Sequence, residues 1–206
     1  MRAAVVPMAP LLLPGESGLV DPMTDLRKTA VETVADLAEG LDALAVLVPS
    51  GIVGAPEDYR RPSGRAGSGP LAAQVATELL ALAEVAVPTE IVPITEPSTG
   101  PPLTCLEGHG LLVLGDGTAC RGQAAPGHLD ERSFAFDDRL AEALAAGDGT
   151  ALAGLDQQLA AELMVTGRHT FAALGRAIPK ASRAELRYRD DPFGLTYFVA
   201  LWRSSE

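Results

Sequence analysis

The side chains best able to do chemistry follow one apolar run. Leu111-Leu112-Val113-Leu114 leads into Gly115-Asp116-Gly117-Thr118. A carboxylate leaving a buried strand can serve as a base or hold a polar ligand. Gly-Asp-Gly also suits a turn whose carboxylate accepts from nearby backbone N–H groups. Asp116 is therefore the candidate catalytic residue, with Thr118 beside it. Arg121 and Arg168 offer paired N–H donors to a carboxylate or phosphate, or to a structural ion-pair partner. Arg168 and His169 open a helical stretch just after Thr166-Gly167, where a helix start adds its own preference for anions. The three histidines are His109, His128 and His169. His109 precedes the Leu111 run and so belongs at the end of that strand opposite Asp116. Only His128, His169 and Asp116 remain as a set from which a metal site could be assembled.

Other chemistries lack their residues. Gly115, Gly117 and Gly122 miss the spacing of a dinucleotide-binding Gly-x-Gly-x-x-Gly, and no Gly-Lys-Ser/Thr occurs. No Gly-x-Ser-x-Gly elbow is present, and Ser50-Gly51 has no evident histidine partner.

Positioning these groups requires strands that end together. Residues 3–6 form a short apolar strand closed by Pro7, and a Pro-rich loop follows. Thr24 is placed to cap a helix carrying Leu26, Ala30, Val34, Leu37 and Leu41, with Gly40 at its end. Residues 43–48 are apolar on both faces, as a parallel strand covered on two sides should be. Residues 49–70 are rich in Gly, Pro, Ser and Arg and carry no periodicity; a loop this long is usually functional or mobile. A helix from Gly69-Pro70 places Leu71, Val75, Leu79 and Leu82 on one face, and residues 90–94 and 110–114 are further strands. Gly127-His128-Leu129-Asp130-Glu131 begins the helical run that reaches Ala146, with Phe136, Leu140 and Leu144 on one face. Asp156 is placed to cap a helix directing Leu159 and Leu163 inward. Another helix from about Arg168 carries Phe171 and Leu174. Residues 184–188 and 196–202, separated by Asp190-Asp191-Pro192, form an antiparallel hairpin near a sheet edge. Strands alternating with helices define an α/β fold: a mixed, mostly parallel sheet with helices on both faces. Ligands of such sheets bind beyond the carboxyl ends of the strands. That rule selects Pro7-Met8-Ala9-Pro10, Pro49-Ser50-Gly51 and Gly115-Asp116-Gly117-Thr118.

Length and composition set the frame. A chain of 206 residues is most simply one domain and long enough to bury a sizeable core. Its formal charge of −11 opposes a nucleic-acid partner, and Arg60, Arg61 and Arg65 read as a solvated loop. Cys105 and Cys120 are too few for a disulfide framework and read as reduced thiols. Prolines interrupt the first apolar stretch, so it does not read as a signal peptide. No run is long enough for a membrane span. The expectation is a cytoplasmic protein without a membrane partner.

The order Val6-Pro7-Met8-Ala9-Pro10-Leu11-Leu12-Leu13-Pro14, Gly115-Asp116-Gly117-Thr118, Leu155-Asp156 and Thr166-Gly167-Arg168 resembles the class III extradiol ring-cleavage dioxygenases (the LigB type) and their Memo-like relatives. The resemblance spans most of the chain and implies a LigB-like α/β sandwich, one domain over residues 1–206. In that family the first segment usually reads Pro-His-Pro-Pro and its His binds non-haem iron; Met8 stands there. The second family His falls at Pro49-Ser50-Gly51. The Asp-x-x-His segment corresponds to Asp116-Gly117-Thr118-Ala119, which keeps the Asp and loses the His. The Memo-like Cys before Gly-Arg is Thr166. Iron oxygen chemistry needs two His and a carboxylate with open positions, so these substitutions remove the implied ligand set.

The resemblance therefore implies a divergent member without Fe(II) dioxygenase activity and without a required cofactor. It would retain a pocket for a small polar or anionic molecule, lined from Met8, Ser50, Thr118, Arg121, Thr166, Arg168 and His169, or act as an interaction module. One alternative is an enzyme of altered chemistry centred on Asp116. Another is a dioxygenase whose Fe(II) or Zn site is completed by His128, His169 and Asp116 or by a partner subunit. Self-association as a homo-oligomer, through residues 49–70 or the terminal hairpin, is compatible with all three.

Overall fold

The computed structural model describes residues 1–16, 21–60, 69–97 and 109–204. Six strands form one sheet in the order β3-β2-β4-β1-β6-β5. Four are parallel: β1 (Arg2–Val6), β2 (Ala43–Pro49), β3 (Thr89–Ile94) and β4 (His109–Leu114). β6 (Tyr197–Arg203) runs antiparallel to β1, and β5 (Arg183–Asp190) closes that side as its antiparallel neighbour. The expected mixed, mostly parallel α/β sheet is what forms, with the terminal hairpin at the edge.

Period-two alternation divides the side chains between two apolar layers. Ala3 and Val5, Ala45 and Leu47, Leu111 and Val113, and Phe198, Ala200 and Trp202 enter one layer. Ala4 and Val6, Val46 and Val48, Leu112 and Leu114, and Val199 and Leu201 enter the other. The first layer is covered by α3 (Arg132–Ala146), α4 (Gly149–Ala153), α5 (Gln157–Glu162) and α6 (Arg168–Ala177). The second is covered by α1 (Thr24–Ala38) and α2 (Leu71–Leu82). Both faces of the central strands are thus dry, which explains why those strands are apolar throughout.

Several local details differ from the sequence expectation. Thr24 is the first residue of α1 rather than its cap; its hydroxyl donates to Asp21 O at 3.0 Å, and the Asp21 carboxylate takes the Met23 N–H at 2.9 Å. Leu41 lies beyond α1, and Leu82 is 46% exposed at the end of α2. His128 has φ of 56°, so 127–131 is a looped entry and α3 starts at Arg132, whose N–H the Asp130 carboxylate accepts at 2.9 Å. His109 is the first residue of β4. Asp156 does cap α5, taking the Leu159 N–H at 3.0 Å, although Leu159 is only half-buried. α4 carried too short a pattern to be read. Arg60 is exposed beside Asp58 at 3.9 Å, and Cys120 is a buried free thiol. Arg61, Arg65 and Cys105 lie outside the described residues. No described helix is long and apolar enough to cross a membrane.

Candidate functional site

Parallel pairing of β1, β2 and β4 brings their carboxyl ends to one rim, and the loops selected from sequence leave from it. Asp116 stands two residues beyond β4. Its position is fixed by three hydrogen bonds from two segments. The Met8 N–H, in the loop after β1, donates to Asp116 Oδ1 at 3.1 Å. The Asp116 N–H donates to Thr166 Oγ1 at 2.9 Å. The Asp116 carbonyl accepts from the Gly167 N–H at 3.1 Å. This last contact depends on two glycines: a Cβ on Gly115 would lie 2.4 Å from Gly167 Cα. The Thr170 hydroxyl adds a bond to Leu114 O at 2.8 Å. The loop after β2 reaches the same place, since a Cβ on Gly54 would come 3.1 Å from Thr166 Cγ2.

Asp116 is 3% exposed. Burial pushes its carboxyl from 3.8 up to about 7, while the Met8 N–H and the Thr166 hydroxyl pull the other way. A carboxyl that is half protonated near neutrality can give or take a proton, as a general acid or base must. Tyr197, the first residue of β6, is also buried. Burial and the neighbouring Asp116 charge hold its phenol well above the usual range, so it stays a neutral O–H.

A second buried carboxylate lies just past Asp116. Asp137, from α3, is fully buried and receives the Thr118 N–H at 3.1 Å and the Thr118 and Thr196 hydroxyls at 2.6 Å each. Arg121 Nη1 is 3.8 Å from it. Burial raises the Asp137 pKa, and these donors and the Arg121 charge oppose that rise. Asp137 ties the Gly117–Thr118 segment to α3 and to the start of β6. Neither Asp137 nor Tyr197 was recognised from sequence, although a signal for Asp137 existed. Ser133, Asp137, Leu140 and Leu144 follow helical spacing on the buried face of α3, and an acid in such a stripe must have partners.

The other candidate residues are placed as follows. The Met8 side chain is buried in the apolar layer, leaving only its N–H for Asp116. Ser50 is half-buried and its N–H donates to Ile94 O at 3.1 Å. Thr118 spends its hydroxyl on Asp137, and Thr166 accepts from Asp116. Arg121 pairs with Asp191 through Nε and stacks over Phe134, its guanidinium carbon 4.3 Å from the ring centroid. Arg168 donates to Val165 O at 3.2 Å, and burial lowers its pKa. His169, half-buried, is lowered by burial and by Arg168, against the Thr95 carbonyl and Glu96, which raise it; its Nδ1 has no hydrogen-bond partner among the described residues. His128 is exposed, with Nδ1 3.4 Å from Gln123 O.

For the iron that the resemblance implies, the donors do not fit. The corresponding positions hold a thioether packed among apolar side chains, Ser50, buried Ala119 and a threonine already bonded to Asp116. Among the described residues no three His, Cys, Asp or Glu side chains are grouped to hold a metal, so His128, His169 and Asp116 do not form the alternative triad. No family model matches the chain, and no curated protein matches it.

Proposed function

We propose that the protein is a LigB-like α/β domain that has exchanged iron chemistry for binding of a small polar or anionic molecule at the rim around Asp116. The observation that carries this reading is the Asp116 carboxyl itself: buried, fixed from β1 and from 166–167, and poised near neutrality. A group held this way recognises a ligand by donating when protonated and accepting when ionised. In this reading the N-terminal turn of α6, which follows Gly167, adds a preference for an anion.

Two measurements test this reading. Metal analysis of protein purified without chelator is expected to give far less than one equivalent of iron or zinc. A stoichiometric metal lost on His128→Ala or His169→Ala would overturn the proposal. A thermal-shift screen of small carboxylic acids and polyols is expected to return compounds that stabilise the wild type and lose their effect in Asp116→Asn. Stabilisation that persists in that variant would place the ligand elsewhere.

A second reading rests on the same carboxyl. With a pKa near 7, Asp116 would act as general acid or base in an enzyme of altered chemistry. Its activity would follow a pH profile with an inflection near 7, and Asp116→Asn would abolish it without unfolding the protein.

A further inference from the structure

The turn after Asp116 and the hairpin turn between β5 and β6 meet along a backbone seam. The Arg121 N–H donates to Gly194 O at 3.1 Å, and the Gly194 N–H donates to Asp191 O at 2.9 Å. Gly194 has φ of +71°, and a Cβ there would come 2.6 Å from Ala125 Cβ. Only glycine lets the two turns close this tightly. Beside the seam lies a cleft of about 400 Å³ whose lining includes Arg121, Ala125, Asp191 and Phe193. That size suits a small organic molecule.

Arg121 reaches this cleft already oriented. Asp191 holds Nε, the Phe134 ring lies under the guanidinium, and Asp137 draws Nη1 to 3.8 Å. Asp137 Oδ2 already takes two hydroxyls, so Nη1 is buried without a hydrogen bond among the described residues. The same guanidinium lines the cleft. Asp191 is a half-buried acceptor next to it, its side chain 36% accessible. The pair offers a donor and an acceptor side by side.

Charge then selects the ligand. Two carboxylates, Asp137 and Asp191, already face one guanidinium, and Asp190 precedes Asp191 on the hairpin. An incoming carboxylate or phosphate would add a third negative charge to a site with one positive. A neutral group that accepts and donates along one edge adds none. Phe193, 47% exposed, supplies a flat apolar wall.

We propose that this cleft binds a small neutral ring bearing an amide. The ligand C=O accepts from Arg121, its N–H donates to Asp191, and the ring lies against Phe193. The site is separate from the Asp116 rim and does not depend on the function proposed there.

Benzamide and benzoate differ only in the polar edge and make a direct probe pair. Binding is read from the amide ¹⁵N–¹H shifts of Gly122 and Gly194 in the full chain. Benzamide is expected to shift both saturably, with benzoate roughly two- to tenfold weaker, the worth of about one hydrogen bond. Phe193→Ala, at an exposed position, should weaken benzamide several-fold while leaving the melting temperature unchanged. Asp191→Asn removes one negative charge and should narrow the gap between the two ligands. Absence of a saturable benzamide shift, equal or tighter benzoate binding in the wild type, or unchanged benzamide affinity in Phe193→Ala would each overturn the proposal. If Asp191→Asn fails to fold, the wild-type ratio and Phe193→Ala still decide.

Discussion

Asp116 and Asp137 are the same residue type, both buried and near in sequence, yet they are supported differently. Asp137 receives two hydroxyls and a backbone N–H, with a guanidinium beyond. Its lone pairs are spent on holding the post-β4 segment, α3 and β6 together. Asp116 receives the Met8 N–H and the Thr166 hydroxyl, with no cation beside it among the described residues, and its carboxyl rises to about 7. Burial raises both carboxyls, but the larger set of donors ties Asp137 into the scaffold, whereas Asp116 has fewer partners and titrates near neutrality. Asp116 is consequently the better candidate for chemistry, and Asp137 for scaffold.

Removing the better-compensated acid should hurt most. Asp137→Ala strands the Thr118 N–H and the two hydroxyls and leaves Arg121 short of a counter-charge; a stability loss of about 3–5 kcal/mol is expected in urea titration. If the loss is under 1 kcal/mol, the scaffold role of Asp137 is wrong.

The Asp116 prediction concerns pH. The folded protein holds this proton more tightly than the unfolded chain, because burial raises the carboxyl from 3.8 to about 7. Its stabilising contribution is therefore complete below about pH 4 and is lost as pH rises through 7. The span is on the order of 4 kcal/mol. Asp116→Asn cannot ionise and keeps an oxygen for the Met8 N–H. Its stability relative to wild type should climb by about that amount between pH 4 and 8. A flat difference across that range would show that Asp116 titrates normally.

Smaller effects sharpen the contrast. Thr196→Val deletes one donor to the Asp137 carboxylate and should cost about 1.5–3 kcal/mol. Thr166→Val leaves the Asp116 N–H without its acceptor and should cost about 1–3 kcal/mol. The two act on different carboxyls. Thr166→Val also lifts the Asp116 pKa, so its penalty should grow between pH 6 and 8, as parallel melts at the two values would reveal.

The strands and the helices that cover them were legible because burial imposes periodicity. Runs such as Leu111–Leu114 and stripes such as Leu26, Ala30, Val34 and Leu37 admit few alternatives. The rim was legible for a related reason, since the exit of a parallel strand follows from strand direction. The entry to α3 was misread because Asp130 and Glu131 suit a helix start whether the helix begins at 128 or at 132. The left-handed backbone of His128 accompanies bonds back to the preceding loop, Gly127 N–H to Ala119 O at 2.9 Å and Asp130 N–H to Cys120 O at 3.0 Å, which local pattern does not announce.

By itself, the amino-acid order determined the α/β class, the edge hairpin and the loops that surround Asp116. These follow from hydrophobic spacing and from proline and glycine, which act over a few residues. The tertiary structure decided which polar groups are spent and which are spare. Met8 meets Asp116 across 108 positions, Thr166 across 50, and Thr196 meets Asp137 across 59. Hydrogen bonds are satisfied by proximity in space, and a carboxyl's proton affinity depends on how much water and how many donors surround it. Neither quantity is written in the local sequence.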